Sequence, residues 1–343
     1  MAATRFVSGL LEVGAGHEVY FEDWGNADGK SVLVLHGGPG SGSSRRLRRW
    51  FNPDVHRVVT FDQRNCGRSR PSAAEPDVDL SRNTTQDLIA DCEMLRSHLG
   101  IERWLVWGGS WGTTLALAYA EAHPASVSEM ILVSVTTTSR REVEWITRCM
   151  GRVFPERWSR FLQPLPVAAR DGNLAAAYSE LLHSDDPTIR HDAARAWCDW
   201  EDTHVATHPN WRPDPRYDDP DFRLCFARLV THYWANAGFL PDGQLLDNAY
   251  RLAGIPAVLI GGRLDISGPI DTAWELHQFW PGSELVVIHE AGHGAGHEST
   301  SAAIVAAVQR FTKTMSDSSA NPPEGDGQTR IVRDEKDAAQ KAR

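Results

Sequence analysis

No run of roughly 18 consecutive apolar residues occurs in the 343-residue chain, so no membrane-spanning helix is expected. A basic N-terminal region followed by an apolar stretch is also missing. The opening MAATRFVSGLLEVGAG therefore predicts no secretory signal. Cysteine is sparse: Cys66, Cys92, Cys149, Cys198 and Cys225 are scattered, odd in number and without paired spacing. That excludes a disulfide framework or zinc ribbon and points to a reducing, cytoplasmic setting. Positive charge is in deficit, 35 Lys and Arg against 45 Asp and Glu, and the net charge of −10 disfavours nucleic acid as a partner. The one basic cluster, Arg45, Arg46, Arg48 and Arg49 before Trp50, reads as a solvated helix face. No internal repeat is present. Thirteen tryptophans are many for this length; they serve as core filling, or in mid-chain as an aromatic pocket.

The rest has the balance of a soluble globular protein, 41% hydrophobic and 23% charged, long enough for one sizeable core with an insertion. Leu10 to Trp24 alternates around Gly14 and Gly16 and predicts a hairpin. Short apolar runs follow at Ser31–Leu35, Arg57–Phe61, Trp104–Trp107 and Met130–Val133, with helical patterns at Thr85–Leu99 and Thr113–His123 between them. Strands alternating with helices predict βαβ units and a mostly parallel central sheet. Residues 139–240 break the pattern with helical periodicity, many Trp, Arg and Asp, and the proline-studded run His208–Pro220, and predict an inserted helical cap. The core then comprises 1–138 and 241–315, resuming with strands Ile255–Ile260 and Glu284–His289 and a helix near Ser301–Thr312. Residues 316–343 are polar and are expected to be a disordered tail.

The strand Trp104–Trp107 runs directly into Gly108-Gly109-Ser110-Trp111-Gly112, and a helix follows. This is G-x-S-x-G in the strand–turn–helix setting that gives it chemical meaning. Its serine sits on a strained turn at a helix N-terminus, where developing negative charge is favoured. After SVLVL comes His36-Gly37-Gly38-Pro39-Gly40, where such a fold supplies an oxyanion-hole amide. No Gly-Lys-Ser/Thr follows it and no G-x-G-x-x-G is present there, so a nucleotide-cradling loop is discounted and no cofactor is expected. Base and orienting acid should follow in the order Ser, Asp, His. Asp265 lies just past the strand Ile255–Ile260, and His293 lies in a glycine-flanked loop past the last strand. Ser110 would attack, His293 would carry its proton, and Asp265 would hold the imidazole tautomer.

One competing motif claims the same histidine. His289-Glu290-Ala291-Gly292-His293 matches H-E-x-x-H, and Gly296 extends the match toward a longer zinc-protease pattern. That motif needs both histidines on one helical face. The preceding LVVI is strand-like, Gly292, Gly294 and Gly296 oppose a helix, and Ser299 stands where a third histidine belongs. No metal is expected.

The chain resembles the proline iminopeptidases of the α/β-hydrolase superfamily from about Val13 to Phe311. The resemblance rests on HGGPG at 36–40, FDQRNCGRS at 61–69, NTTQDLIADCEMLR at 83–96 and WGGSWGTTLALAYAEAHP at 107–124. AWCDWE at 196–201, HYWANAGFL at 232–240 and GRLDISGPIDTAWELHQFWP at 262–281 extend it. It implies cofactor-free removal of an N-terminal proline from small peptides, an α/β-hydrolase fold, oxyanion amides at Gly38 and Trp111, and the triad Ser110, Asp265, His293. It also implies that Glu201 receives the substrate's free amino group and that Trp234 lines the pocket, where a phenylalanine is usual. In two further places the sequence departs from the family: Val230 replaces a second glutamate, and a pocket phenylalanine is replaced near Thr136. Asp199 or Asp202 would be the compensating carboxylate. These departures keep open an amidase or esterase for a small acyl substrate without a free amine; a non-catalytic binding protein on the same scaffold is the third possibility.

Overall fold

A computed structural model describes residues 5–205, 212–313 and 329–332. Nine strands form one sheet in the order β1-β2-β4-β3-β5-β6-β7-β8-β9. The strands are β1 (Arg5–Glu12), β2 (Glu18–Gly25), β3 (Lys30–Leu35), β4 (His56–Phe61), β5 (Trp104–Gly109), β6 (Val127–Val133), β7 (Ala257–Gly262), β8 (Ser283–Ile288) and β9 (Thr329–Val332). The β1–β2 hairpin and the β2–β4 pair are antiparallel, and every other pairing is parallel. Parallel strands covered on both faces read as continuous apolar runs, which is why SVLVL and VSEMILV look as they do. In β3 the alternation splits cleanly. Leu33 and Leu35 join the core under α1 (Thr85–His98) and α2 (Trp111–Ala122), and Val32 and Val34 join the one under α10 (Glu298–Lys313).

Between β6 and β7 the described residues contain no strand. The helices α3 (Arg140–Thr147), α4 (Pro155–Leu162), α5 (Leu174–Leu182), α6 (Pro187–Val205), α7 (Pro220–Ala235) and α8 (Gln244–Asp247) fill the interval, and α9 (Ile270–Phe279) follows β7. Capping boxes start α1 (Thr84 with Asp87) and α3 (Ser139 with Glu142), so each chain reversal is fixed by its own side chains. Five of the insert's aromatic rings, Phe161, Tyr178, Trp197, Trp200 and Trp234, stack or pack against one another, and three of the thirteen tryptophans are used there.

The structure corrects two expectations. Arg48 is not on a solvated face: it is buried and paired with Glu22, whose carboxylate also meets Arg68 at 2.9 Å. Within the tail expected to be disordered, Thr329–Val332 instead pairs in parallel with Leu285–Ile288 of β8; the rest of 314–343 lies outside the described residues. No helix among the described residues is long and apolar enough to cross a membrane.

Glu121, in the last turn of α2, is 5% exposed, and its Oε1 has no partner. Burial lifts its carboxyl pKa to about 7, against the hydrogen bonds donated by Gln244 and Asn248. The folded state therefore keeps a proton that the unfolded chain releases near pH 4, and stability falls as pH rises from about 4 to about 7. Glu121→Gln is expected to be more stable than wild type by about 1–3 kcal/mol at pH 8. Urea unfolding at pH 4 and pH 8 checks this, with the advantage vanishing at pH 4.

Candidate active site

The turn after β5 is fixed by what cannot fit there. A Cβ on Gly108 would lie 2.5 Å from the carbonyl oxygen of Gly112, and one on Gly112 would lie 2.3 Å from that of Leu35. Both positions must be glycine for the strand, the turn and α2 to approach so closely. Between them Ser110 takes φ +54° and ψ −127°, a left-handed conformation that L residues rarely adopt. It is held there by its amide donating to Val133 and its carbonyl accepting from Thr113, at 2.9 and 2.7 Å. Its Oγ is thereby raised above the C-terminal edge of the sheet, at the start of α2.

The loops after β7 and β8 meet the hydroxyl from the other side. His293 Nε2 lies 3.0 Å from Ser110 Oγ, and its Nδ1 lies 2.9 and 3.0 Å from the two oxygens of Asp265. Asp265 is buried and also accepts from the Gly268 amide at 2.8 Å. A Cβ on Gly262 would lie 2.2 Å from the Ala291 carbonyl oxygen, so glycine at the end of β7 lets the aspartate and histidine loops come together. The Ser134 hydroxyl fixes the histidine loop by accepting from the Gly294 amide at 2.8 Å. Burial disfavours the charged imidazolium of His293. The charge and hydrogen bond of Asp265, aided by the charge of Glu201, outweigh it and raise the pKa above the ordinary histidine value.

Gly38 and Trp111 line one cavity with Ser110 and His293. Gly38 has φ +114°, and a Cβ there would lie 2.6 Å from the amide nitrogen of Gly40. Trp111 is the first residue of α2, where a backbone N–H has no acceptor within its own helix. One residue that sequence reading passed over ties His36, two residues before Gly38, to the Trp111 side chain. Gln63 donates from its side chain to the His36 carbonyl, donates its own amide to His36 Nε2, and accepts the Trp111 indole N–H at 2.9 Å. Burial lowers the pKa of His36, whose Nδ1 meets the Gly37 carbonyl at 2.9 Å. A neutral ring, donating at Nδ1 and accepting at Nε2, satisfies both contacts.

The same cavity is lined by Thr136, Thr138, Glu142, Val143, Ile146, Glu201, His204, Trp234, Ser267 and Gly268. Glu201 is 8% exposed, and its Oε1 has no hydrogen-bond partner. Glu142 carries a second carboxylate, but that one is fully engaged by Thr137, Ser139 and Thr272. Val230 is in the hydrophobic core of α7 and does not line the cavity. Asp199 is exposed, and Asp202 lines a wider outer cleft with Asp214 and Arg216, so neither stands in the inner cavity. The H-E-x-x-H match falls on a turn and loop after β8 rather than on a helix, and both ring nitrogens of His293 are taken by Ser110 and Asp265.

Residues 30–300 match the family model of the alpha/beta hydrolase fold. A probable proline iminopeptidase of Streptomyces coelicolor is 51% identical over 309 residues, covering 89% of this chain and 95% of the relative. The proline iminopeptidase of Arabidopsis thaliana is 40% identical over 312 residues, covering 90% and 81%. Among solved structures, the proline iminopeptidase of Mycobacterium smegmatis superposes with a TM-score of 0.62, covering 92% of this chain and 100% of that one, at 21% identity. The chain belongs to the proline iminopeptidase family of α/β-hydrolases.

Proposed function

We propose that this protein is a serine aminopeptidase that releases N-terminal proline from small peptides through an acyl-enzyme. The observation that carries this reading is the pairing, in one cavity, of the Ser110–His293–Asp265 alignment with a buried glutamate that keeps one oxygen unpartnered. The relatives are named for this activity. An exopeptidase needs a carboxylate to pair the protonated secondary amine of the first residue, and Glu201 supplies it. The inner cavity is small and opens into a wider outer cleft that also borders Ser110, which suits a small acyl group inside and a leaving chain outside. Helices of the insert at 139–240, acting as a cap, bring Glu201 and Trp234 over the nucleophile.

In the reaction, Ser110 Oγ forms a bond to the prolyl carbonyl carbon while His293 Nε2 takes its proton. The carbonyl electrons move to oxygen, where the amides of Gly38 and Trp111 donate to the oxyanion. Collapse breaks the C–N bond, and His293 returns the proton to the departing amine. Water then repeats the sequence on the acyl-enzyme and frees proline.

Prolyl arylamide is expected to be cleaved and its N-acetylated analogue spared. Glu201→Gln should raise KM for the free amine by about 10–100-fold, the worth of a desolvated charge-assisted contact. The same variant should move the acidic limb of the pH–rate profile to lower pH, because the Glu201 charge helps to raise the pKa of His293. Preference for the blocked substrate would overturn the assignment in favour of an amidase or esterase.

A further inference from the structure

Glu201 does not stand alone in the cavity. One turn further along α6, His204 is 1% exposed, and its Nε2 lies 3.2 Å from Glu201 Oε2. Its other nitrogen, Nδ1, lies 2.9 Å from the hydroxyl of Ser267. Ser267 is buried too, and the next residue, Gly268, donates its amide to Asp265. A continuous line thus runs from Glu201 through His204 and the Ser267–Gly268 loop to the aspartate that orients His293. Nothing in the proline-release chemistry so far has used His204, although it is a titratable side chain lining the cavity.

We propose that His204 is a positioning residue for amine recognition, holding Glu201 Oε2 so that Oε1 faces the incoming cation. Ser267 occupies Nδ1, and Nε2, which has no hydrogen-bond partner, stands 3.2 Å from the carboxylate in a close polar contact. Glu201 thus has one oxygen against the ring and one open, which is the asymmetry the structure holds: Oε2 at 3.2 Å from His204 Nε2, Oε1 without a hydrogen-bond partner. A glutamate side chain free to rotate would lose this aim, and ordering it would fall on the substrate's binding energy. Val230, where the family usually has a second carboxylate, lies in the core, so an imidazole rather than a second carboxylate stands beside Glu201. The arrangement also ties the amine site to the triad mechanically, because one short loop between β7 and α9 braces both His204 and Asp265.

The inference rests on the reading of Glu201 as the amine receptor, and one panel separates the two. Wild type, Glu201→Gln, His204→Phe, His204→Gln and Ser267→Ala are assayed on prolyl arylamide and on p-nitrophenyl acetate, which has no amine. His204→Phe is expected to raise KM for the arylamide about tenfold, the loss of one polar contact to a charged group, with kcat changed less than about twofold and the ester unaffected. His204→Gln, which keeps a donor, should recover part of the loss. Ser267→Ala should show the same split at about threefold, and it supplies the test if His204→Phe does not fold. Equal loss on both substrates, or an unchanged arylamide KM in His204→Phe and Ser267→Ala, overturns the inference while Glu201→Gln still reports on the amine receptor. An unchanged KM in Glu201→Gln instead removes the reading beneath it.

Discussion

Ser110→Ala is expected to lower kcat on prolyl arylamide by roughly 10⁶-fold, about 8 kcal/mol of barrier, while the melting temperature stays within about a degree of wild type. The asymmetry follows from where the residue's contacts lie. The fold holds Ser110 through its main chain, the amide on Val133 and the carbonyl on Thr113, and alanine keeps both. The side chain's recorded hydrogen bond is to His293. Alanine suffers at φ +54° as serine does, since each carries a Cβ, so no new strain arises. Residual turnover would come from the Gly38 and Trp111 amides and from Glu201, which still bind and polarise the substrate. Steady-state kinetics with fluorophosphonate labelling checks this: the variant should turn over only at that residual rate and should not label. Retention of turnover within about tenfold of wild type would remove Ser110 from the chemistry.

How much of this was legible in the sequence depends on how local each signal is. The elbow was readable because its requirements are contiguous: an apolar run, two glycines that close backbone approach demands, and a helix. Asp265 and His293 were readable because strand ends in an open α/β sheet place loops at one edge, and the chain order fixes which residue comes next. Gln63 was not readable. Its role exists only because the loop after β4 passes between the loop after β3 and the start of α2, and no spacing encodes that three-way meeting. Arg48 looked like one of four similar arginines, because burial against Glu22 arises from β2 passing beneath it. The strand at Thr329–Val332 hid in a polar tail because a four-residue edge strand needs little apolar content when its neighbour β8 supplies the pairing. Val230 drew attention as a missing charge. The structure makes it a core residue of α7, away from the cavity.

Asp265→Asn is expected to lower kcat by roughly 10⁴-fold with KM nearly unchanged, and the reason lies in a contact outside the triad. Asp265 serves two donors at once, the Nδ1–H of His293 and the amide of Gly268. Asparagine has one acceptor and one donor end. If its oxygen turns to His293, its NH₂ group faces the Gly268 amide donor to donor in a buried site, which is strongly unfavourable. The Gly268 amide therefore selects the opposite orientation, with oxygen on Gly268 and NH₂ toward Nδ1. The imidazole must then accept at Nδ1 and carry its proton on Nε2, where it can donate to Ser110 but not receive its proton. Loss of the Asp265 charge also removes the main influence that raises the His293 pKa, so the residual activity should persist to lower pH than in wild type. Glu201 is untouched, and substrate binding should hold. Measured kcat and KM across pH test each part; a kcat within about tenfold of wild type would mean that Asp265 does not set the tautomer of His293.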